Sequence, residues 1–254
     1  MSGNGASSDS ARLLAPLSAA AELADGAAYC LYPLSSLDAL ATAGVPRKVV
    51  HLIRHAQGSH NAAVSASGDE AEYCNEAWAD ARLTELGRSQ AAALVPVLSD
   101  LRLDVVLTSC LSRTIETASG ALPAGPARPP FFALDVLRER IGTHPCDRRR
   151  ARAALRADYP HVDLSDLASE EDDKWSPARE PWEGVVARAE AFCAAARARK
   201  EEHLAVCTHN DFLVALLQMS RVALADDVLK VTFTNAQHLP VVLTWRPPAE
   251  GANN

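Results

Sequence analysis

No stretch of about 18 residues in this chain is free of polar groups, so no transmembrane helix is expected. A positive charge balance is missing too. With 25 Lys and Arg against 32 Asp and Glu, the net charge is -7, which argues against nucleic acid or an anionic membrane surface as the partner. The 6 cysteines show no Cys-x-x-Cys spacing and read as reduced, mostly structural thiols of an intracellular protein. Gly-x-Gly-x-x-Gly and the Walker loop are absent, so no nucleotide cofactor is indicated, and there is no internal repeat. The N-terminal stretch has neither the charged start nor the apolar core of a secretory signal. It is also poor in the arginines of an organelle transit peptide, so a cytoplasmic location is the better expectation.

What is present is enough apolar material, 48% of the residues, for one sizeable core. Met1 to Ser10 is Gly-, Ser- and Asn-rich and reads as disordered, the start of an extension over residues 1–46 that packs on the domain. Residues 47–246 form the main domain, and 247–254 a polar tail. Within the domain, Val49 to Ile53, Leu101 to Leu107, Phe131 to Val136 and His203 to Cys207 read as short buried strands. Two closing strands are expected near Val231 to Thr234 and Pro240 to Trp245. Helices are expected from Ser59, over Leu83 to Leu98 with Thr84 as N-cap, from Leu111, over Glu183 to Lys200, and over Phe212 to Met219. Alternating strands and helices predict an α/β fold, a three-layer α/β/α sandwich with a mostly parallel central sheet.

Several strands end in the same kind of residue. The first runs into Arg54-His55, the second is followed by Arg113, and His203 to Cys207 delivers His209. In open α/β sheets, ligands bind at the carboxyl edge. Guanidinium groups suit phosphate oxygens, and a neutral imidazole is a competent nucleophile. Together these residues predict a pocket for phosphoryl transfer.

At this point the sequence resembles the histidine phosphatase superfamily, the phosphoglycerate-mutase-like proteins. Arg54-His55-Ala56-Gln57-Gly58-Ser59-His60-Asn61 stands where that family has Arg-His-Gly-Glu-x-x-x-Asn. Leu83-Thr84-Glu85-Leu86-Gly87-Arg88-Ser89-Gln90-Ala91 matches Leu-Thr-x-x-Gly-x-x-Gln-Ala, and Ser109-Cys110-Leu111-Ser112-Arg113 matches Ser-Pro-Leu-x-Arg. Thr208-His209-Asn210-Asp211-Phe212-Leu213 stands for Thr-His-Ser-Gly-Phe-Leu. Arg54 to Gly58 and Thr143 to Arg150 look most like the plant and fungal branch.

The resemblance implies a cofactor-independent phosphatase acting on a small phosphorylated metabolite, with no metal. It implies His55 as the residue that becomes a phosphohistidine. Arg54, Arg113 and His209 would hold the phosphoryl group, Asn61 would help orient it, and Glu139 would be the proton donor, with Asp211 as its rival. The alternatives are a phosphoglycerate-type mutase, or a module that binds a phosphorylated ligand without turnover. Three departures bear on this choice. Ala56 adds a methyl beside the nucleophile, Cys110 replaces a proline, and Asp211 puts a carboxylate near an anion pocket. The basic stretch Thr143 to Arg152 reads either as a solvated face or as a grip on a second anionic group. A metal held by His51, His55 and His60 is disfavoured, because no carboxylate has ligand spacing.

Overall fold

A computed structural model describes residues 27–246. The disorder expected for Met1 to Ser10 and the tail at 247–254 lie outside the described residues.

Among the described residues, eight strands form one sheet: β1 (Tyr29–Pro33), β2 (Arg47–Arg54), β3 (Val105–Thr108), β4 (Phe131–Ala133), β5 (Val162–Asp163), β6 (His203–Thr208), β7 (Ala223–Leu224) and β8 (His238–Trp245). Their order is β5-β4-β3-β6-β2-β8-β1-β7, and only β8 runs against the rest. The helices are α1 (Leu37–Thr42), α2 (Ser59–Ser67), α3 (Glu85–Ala92), α4 (Val95–Ser99), α5 (Ser112–Ala121), α6 (Arg152–Asp158), α7 (Trp182–Ala198) and α8 (Asn210–Val214).

Strand residues alternate between two cores, which is why these segments are apolar throughout. Val105, Leu107, Leu204 and Val206 pack under Val185, Ala189 and Phe192 of α7. Val106, Ala205 and Cys207 face the opposite way, toward Leu98 of α4 and Ile115 and Ala118 of α5. The sheet is therefore covered on both faces, as a three-layer sandwich.

Local chemistry moved several expected boundaries. The single helix over Leu83 to Leu98 is two, α3 and α4, and Pro96 stands in the first turn of the second, where its missing N–H costs nothing. Val231 to Thr234 is not a strand. Phe233 is buried there, but its carbonyl accepts from Arg54 and the Thr234 N–H donates to the Gln237 side chain, so this segment bonds to side chains instead of a neighbouring strand. The strand at Leu101 begins only at Val105, and that at Phe131 stops at Ala133 before a 3-10 turn at Asp135–Leu137. No strand was expected before residue 47, yet β1 pairs with β8 along its whole length and buries Leu31 and Tyr32.

Candidate active site

Strands β4, β3, β6 and β2 are consecutive neighbours in the sheet and all run parallel. Their carboxyl ends consequently open on one edge. Arg54 closes β2, His209 follows β6, Arg113 lies in the first turn of the helix after β3, and Glu139 follows the turn after β4.

The loop after β2 is held by the segments that match the family motifs. His55 N–H donates to the Thr208 carbonyl at 2.9 Å, extending the β2–β6 ladder by one residue. Ala56 N–H donates to Thr117 Oγ1 at 2.9 Å, and Gln57 N–H to Gln90 Oε1 at 2.9 Å. Thr84 caps α3 by accepting from Gly87 N–H at 3.0 Å, while its hydroxyl donates to Gln57 Oε1 at 2.7 Å. A Cβ on Gly87 would lie 2.1 Å from the Gln57 carbonyl oxygen, so only glycine lets α3 approach this loop. The Leu83–Ala91 motif is thus a backbone clamp for the residues next to His55.

His55 is buried, with its Nδ1 2.7 Å from the Ala56 carbonyl. A carbonyl only accepts, so Nδ1 carries the proton and Nε2 keeps its lone pair. Burial first, then the charges of Arg113, His60 and Arg54, push the His55 pKa well below the ordinary imidazole value. The His209 ring lies 5.1 Å away, centroid to centroid, and is fully buried. Neither of its nitrogens has a hydrogen-bond partner among the described residues, and its pKa is likewise depressed, chiefly by burial and by Arg113.

Arg113 is 1% exposed and is steered by Asp147: Nη2 donates to Asp147 Oδ1 at 2.8 Å and Nη1 to the Cys146 carbonyl, leaving Nε buried without a partner. Arg54 donates to the Phe233 carbonyl and also keeps a buried, unpartnered Nε. Glu139 Oε1 accepts from the main-chain N–H groups of Arg140 and Asp211, both at 3.0 Å. Its turn is fixed by Arg188, which donates to the carbonyls of Val136, Arg138 and Glu139 and pairs with Glu180. Burial, helped by the neighbouring carboxylates of Asp211 and Asp147, pushes the Glu139 pKa up to about 7.

The structure therefore brings His55, His209, Arg54, Arg113 and Glu139 to one edge. Asn61 reaches the same loop, where its Oδ1 accepts from Gly58 N–H at 3.1 Å and holds the turn. Asp211 faces Arg179 at 3.9 Å, and Ala56 packs its methyl with Leu83 and Ala91 in a separate apolar cluster. The arginines of the basic stretch are tied to protein groups: Arg148 to Glu76, Arg149 to the carbonyls of residues 169–171, Arg150 to Asp80 and Asp158, and Arg152 to Glu170. His51 bonds to His238 at 2.9 Å. Sequence reasoning left His60 without a role, yet its ring lies 5.8 Å from that of His55. The sequence signal was its place one residue before Asn61 in the first motif.

Unpartnered buried nitrogens on two imidazoles and two guanidinium groups, at the carboxyl edge of a mostly parallel sheet, define a class of α/β proteins suited to holding an oxyanion. The profile of the histidine phosphatase superfamily (branch 1) matches residues 50–242. The chain belongs to that superfamily. It is 36% identical over 214 residues to a phosphoglycerate mutase-like protein of Arabidopsis thaliana, covering 72% of this chain and 78% of the relative. A second Arabidopsis thaliana relative, phosphoglycerate mutase-like protein 1, is 31% identical over 81% of this chain and 79% of its own. Among solved structures, a phosphoglycerate mutase from Bacillus anthracis superposes with a TM-score of 0.53 at 19% identity, covering 80% of this chain and 92% of that one. The alpha-ribazole phosphatase from Shigella flexneri gives 0.50 at 19% identity, covering 81% and 100%. The fold is phosphoglycerate-mutase-like. Among the described residues no helix is long and apolar enough to cross a membrane.

Proposed function

We propose that this chain is a cofactor-independent phosphatase that hydrolyses a small phosphomonoester through a phosphohistidine on His55. One observation carries the reading: His209, fully buried beside His55, has no partner for either ring nitrogen among the described residues. Such a group costs stability unless a ligand completes it.

A phosphate dianion seated between Arg54, Arg113 and His209 supplies the missing acceptors, and its charge favours the protonated, donating form of His209. His55 Nε2 attacks phosphorus as the P–O bond to the leaving group breaks, and Glu139 gives its proton to the departing oxygen. Glu139, now a carboxylate, takes a proton from water as that water attacks the phosphohistidine. The P–N bond breaks, inorganic phosphate leaves, and the acid is restored. Asn61 contributes by holding the Gly58 turn beside the nucleophile. Glu139 is the donor instead of Asp211 because its carboxyl retains a proton near neutrality. The Ala56 methyl packs away in its own cluster and the Asp211 carboxylate faces Arg179, which favours turnover over a module that only binds.

The test is hydrolysis of an aryl phosphate in chelator, with acid-labile phosphate trapped on the chain. The wild type turns over and traps phosphate, and His55→Ala does neither. If both chains are inert on several classes of phosphomonoester, the reading fails. The names of the relatives call for one control, isomerisation of phosphoglycerate primed by 2,3-bisphosphoglycerate, for which no activity is expected.

A further inference from the structure

A third imidazole stands in this pocket. His60 lies in the first turn of α2, is 4% exposed, and has a buried Nδ1 with no hydrogen-bond partner among the described residues. Its ring is set from three sides. The His55 ring is 5.8 Å away, the Tyr73 ring 5.9 Å, and a Cβ on Gly58 would come within 2.6 Å of both Cε1 and Nδ1. Gly58 is therefore needed for His60 to lie where it does. Tyr73 is backed in turn by His144, stacked at 5.4 Å, so the wall continues outward from the nucleophile as His60, Tyr73 and His144. Packing alone does not account for an imidazole here, since a phenyl ring would fill the same space without an unmet polar atom.

We propose that His60 is a further phosphoryl-binding residue, a third imidazole that takes up a proton and donates to a phosphoryl oxygen when the dianion is seated. In the free protein burial and the charges of Arg113, Arg54 and His144 keep His60 neutral. His55 and His209 also face it, with Tyr73 behind, and the carboxyl groups of Glu139 and Asp211 act on the same Arg54. A dianion reverses the local balance, because it favours imidazolium over imidazole. The proposal shares its ligand with the phosphatase reading but needs only binding, so its test is made without turnover.

Titration calorimetry with inorganic phosphate, run near pH 7 in two buffers of different ionisation heat, gives affinity and proton uptake together. For His60→Phe we expect binding weaker by about tenfold or more, the loss of one charge-assisted hydrogen bond, and a proton uptake lower by up to about one. His60→Gln, which keeps a neutral donor, should regain part of the affinity and none of the uptake. Thermal melting of each variant identifies any that fails to fold, and the other then decides. Unchanged affinity and uptake in a folded variant would overturn the proposal, as would a wild type that binds neither phosphate nor tungstate. A wild type that binds phosphate through His60 yet traps no phosphohistidine would sink the phosphatase reading and leave this one standing.

Discussion

Glu139→Gln should make the protein more stable at alkaline pH while removing its activity. The substitution keeps the shape of the side chain and the oxygen that accepts from Arg140 and Asp211. It removes only the titration. An ordinary 4.5 raised to about 7 corresponds to roughly 3 kcal/mol at 1.4 kcal/mol per tenfold, and to about 2 once screening by solvent at this partly exposed residue is allowed for. Below the unfolded value both states of the chain hold the proton and the group is neutral in the balance. Between 4.5 and about 7 the folded chain holds a proton that the unfolded chain has released, so stability is lost as pH rises.

Urea unfolding at pH 5 and pH 8 should show wild type and Glu139→Gln converging at the lower pH and separating by about 2–3 kcal/mol at the higher. The difference between the two chains cancels the depressed histidines, whose contribution is lost as pH falls. In kinetics, wild-type turnover of an alkyl phosphate should decline above about pH 7 as the donor deprotonates. The variant should lose about 10²- to 10⁴-fold, and less on p-nitrophenyl phosphate, whose leaving group needs little help from an acid. Equal separation of the two unfolding curves at both pH values would refute the reasoning, since it would mean that Glu139 titrates normally.

Three further outcomes follow from the scaffold. Gly87→Ala pushes a methyl into the Gln57 carbonyl and should displace the loop that carries His55, lowering kcat by on the order of 10²-fold with about 1–3 kcal/mol lost in denaturant unfolding. Thr117→Val strands the buried Ala56 N–H and should cost about 1–3 kcal/mol by the same assay, with a neutral result on Thr117→Ser. Asp147→Asn leaves the buried Arg113 guanidinium short of its counter-charge and should cost about 3 kcal/mol, read as a lower midpoint in thermal melting, together with weaker phosphate binding.

Much of the site was legible because its residues sit at strand ends, and buried strands announce themselves by unbroken apolar runs. Arg54, His55 and His209 were read this way, and the structure places them as neighbours across β2 and β6. Thr84 as an N-cap was legible for the same local reason, though its second hydrogen bond, to Gln57, was not. Val231 to Thr234 misled because a β-branched, aromatic run carries strand propensity, whereas its neighbours offered side-chain partners instead of a ladder. Tyr29 to Pro33 was hidden in an Ala-rich stretch, and only the open edge of β8 makes it a strand. The basic stretch could not be settled from charge alone, because two of its acidic partners, Glu76 and Asp80, lie 72 and 70 residues away from the arginines they pair with.

By itself, the chain's order of residues determined which segments are buried, which turns carry charged or nucleophilic side chains, and hence the chemistry on offer. Burial patterns and caps are local properties, set within a few residues by periodicity and hydrogen bonding. Tertiary structure alone decided that β4, β3, β6 and β2 lie side by side, so that Glu139, Arg113, His209 and His55 share one edge. It also decided that the Glu139 pKa is raised and that the His60 ring stands beside that of His55. Both depend on how far water is excluded and which charges stand nearby, and those quantities exist only once distant segments are packed together.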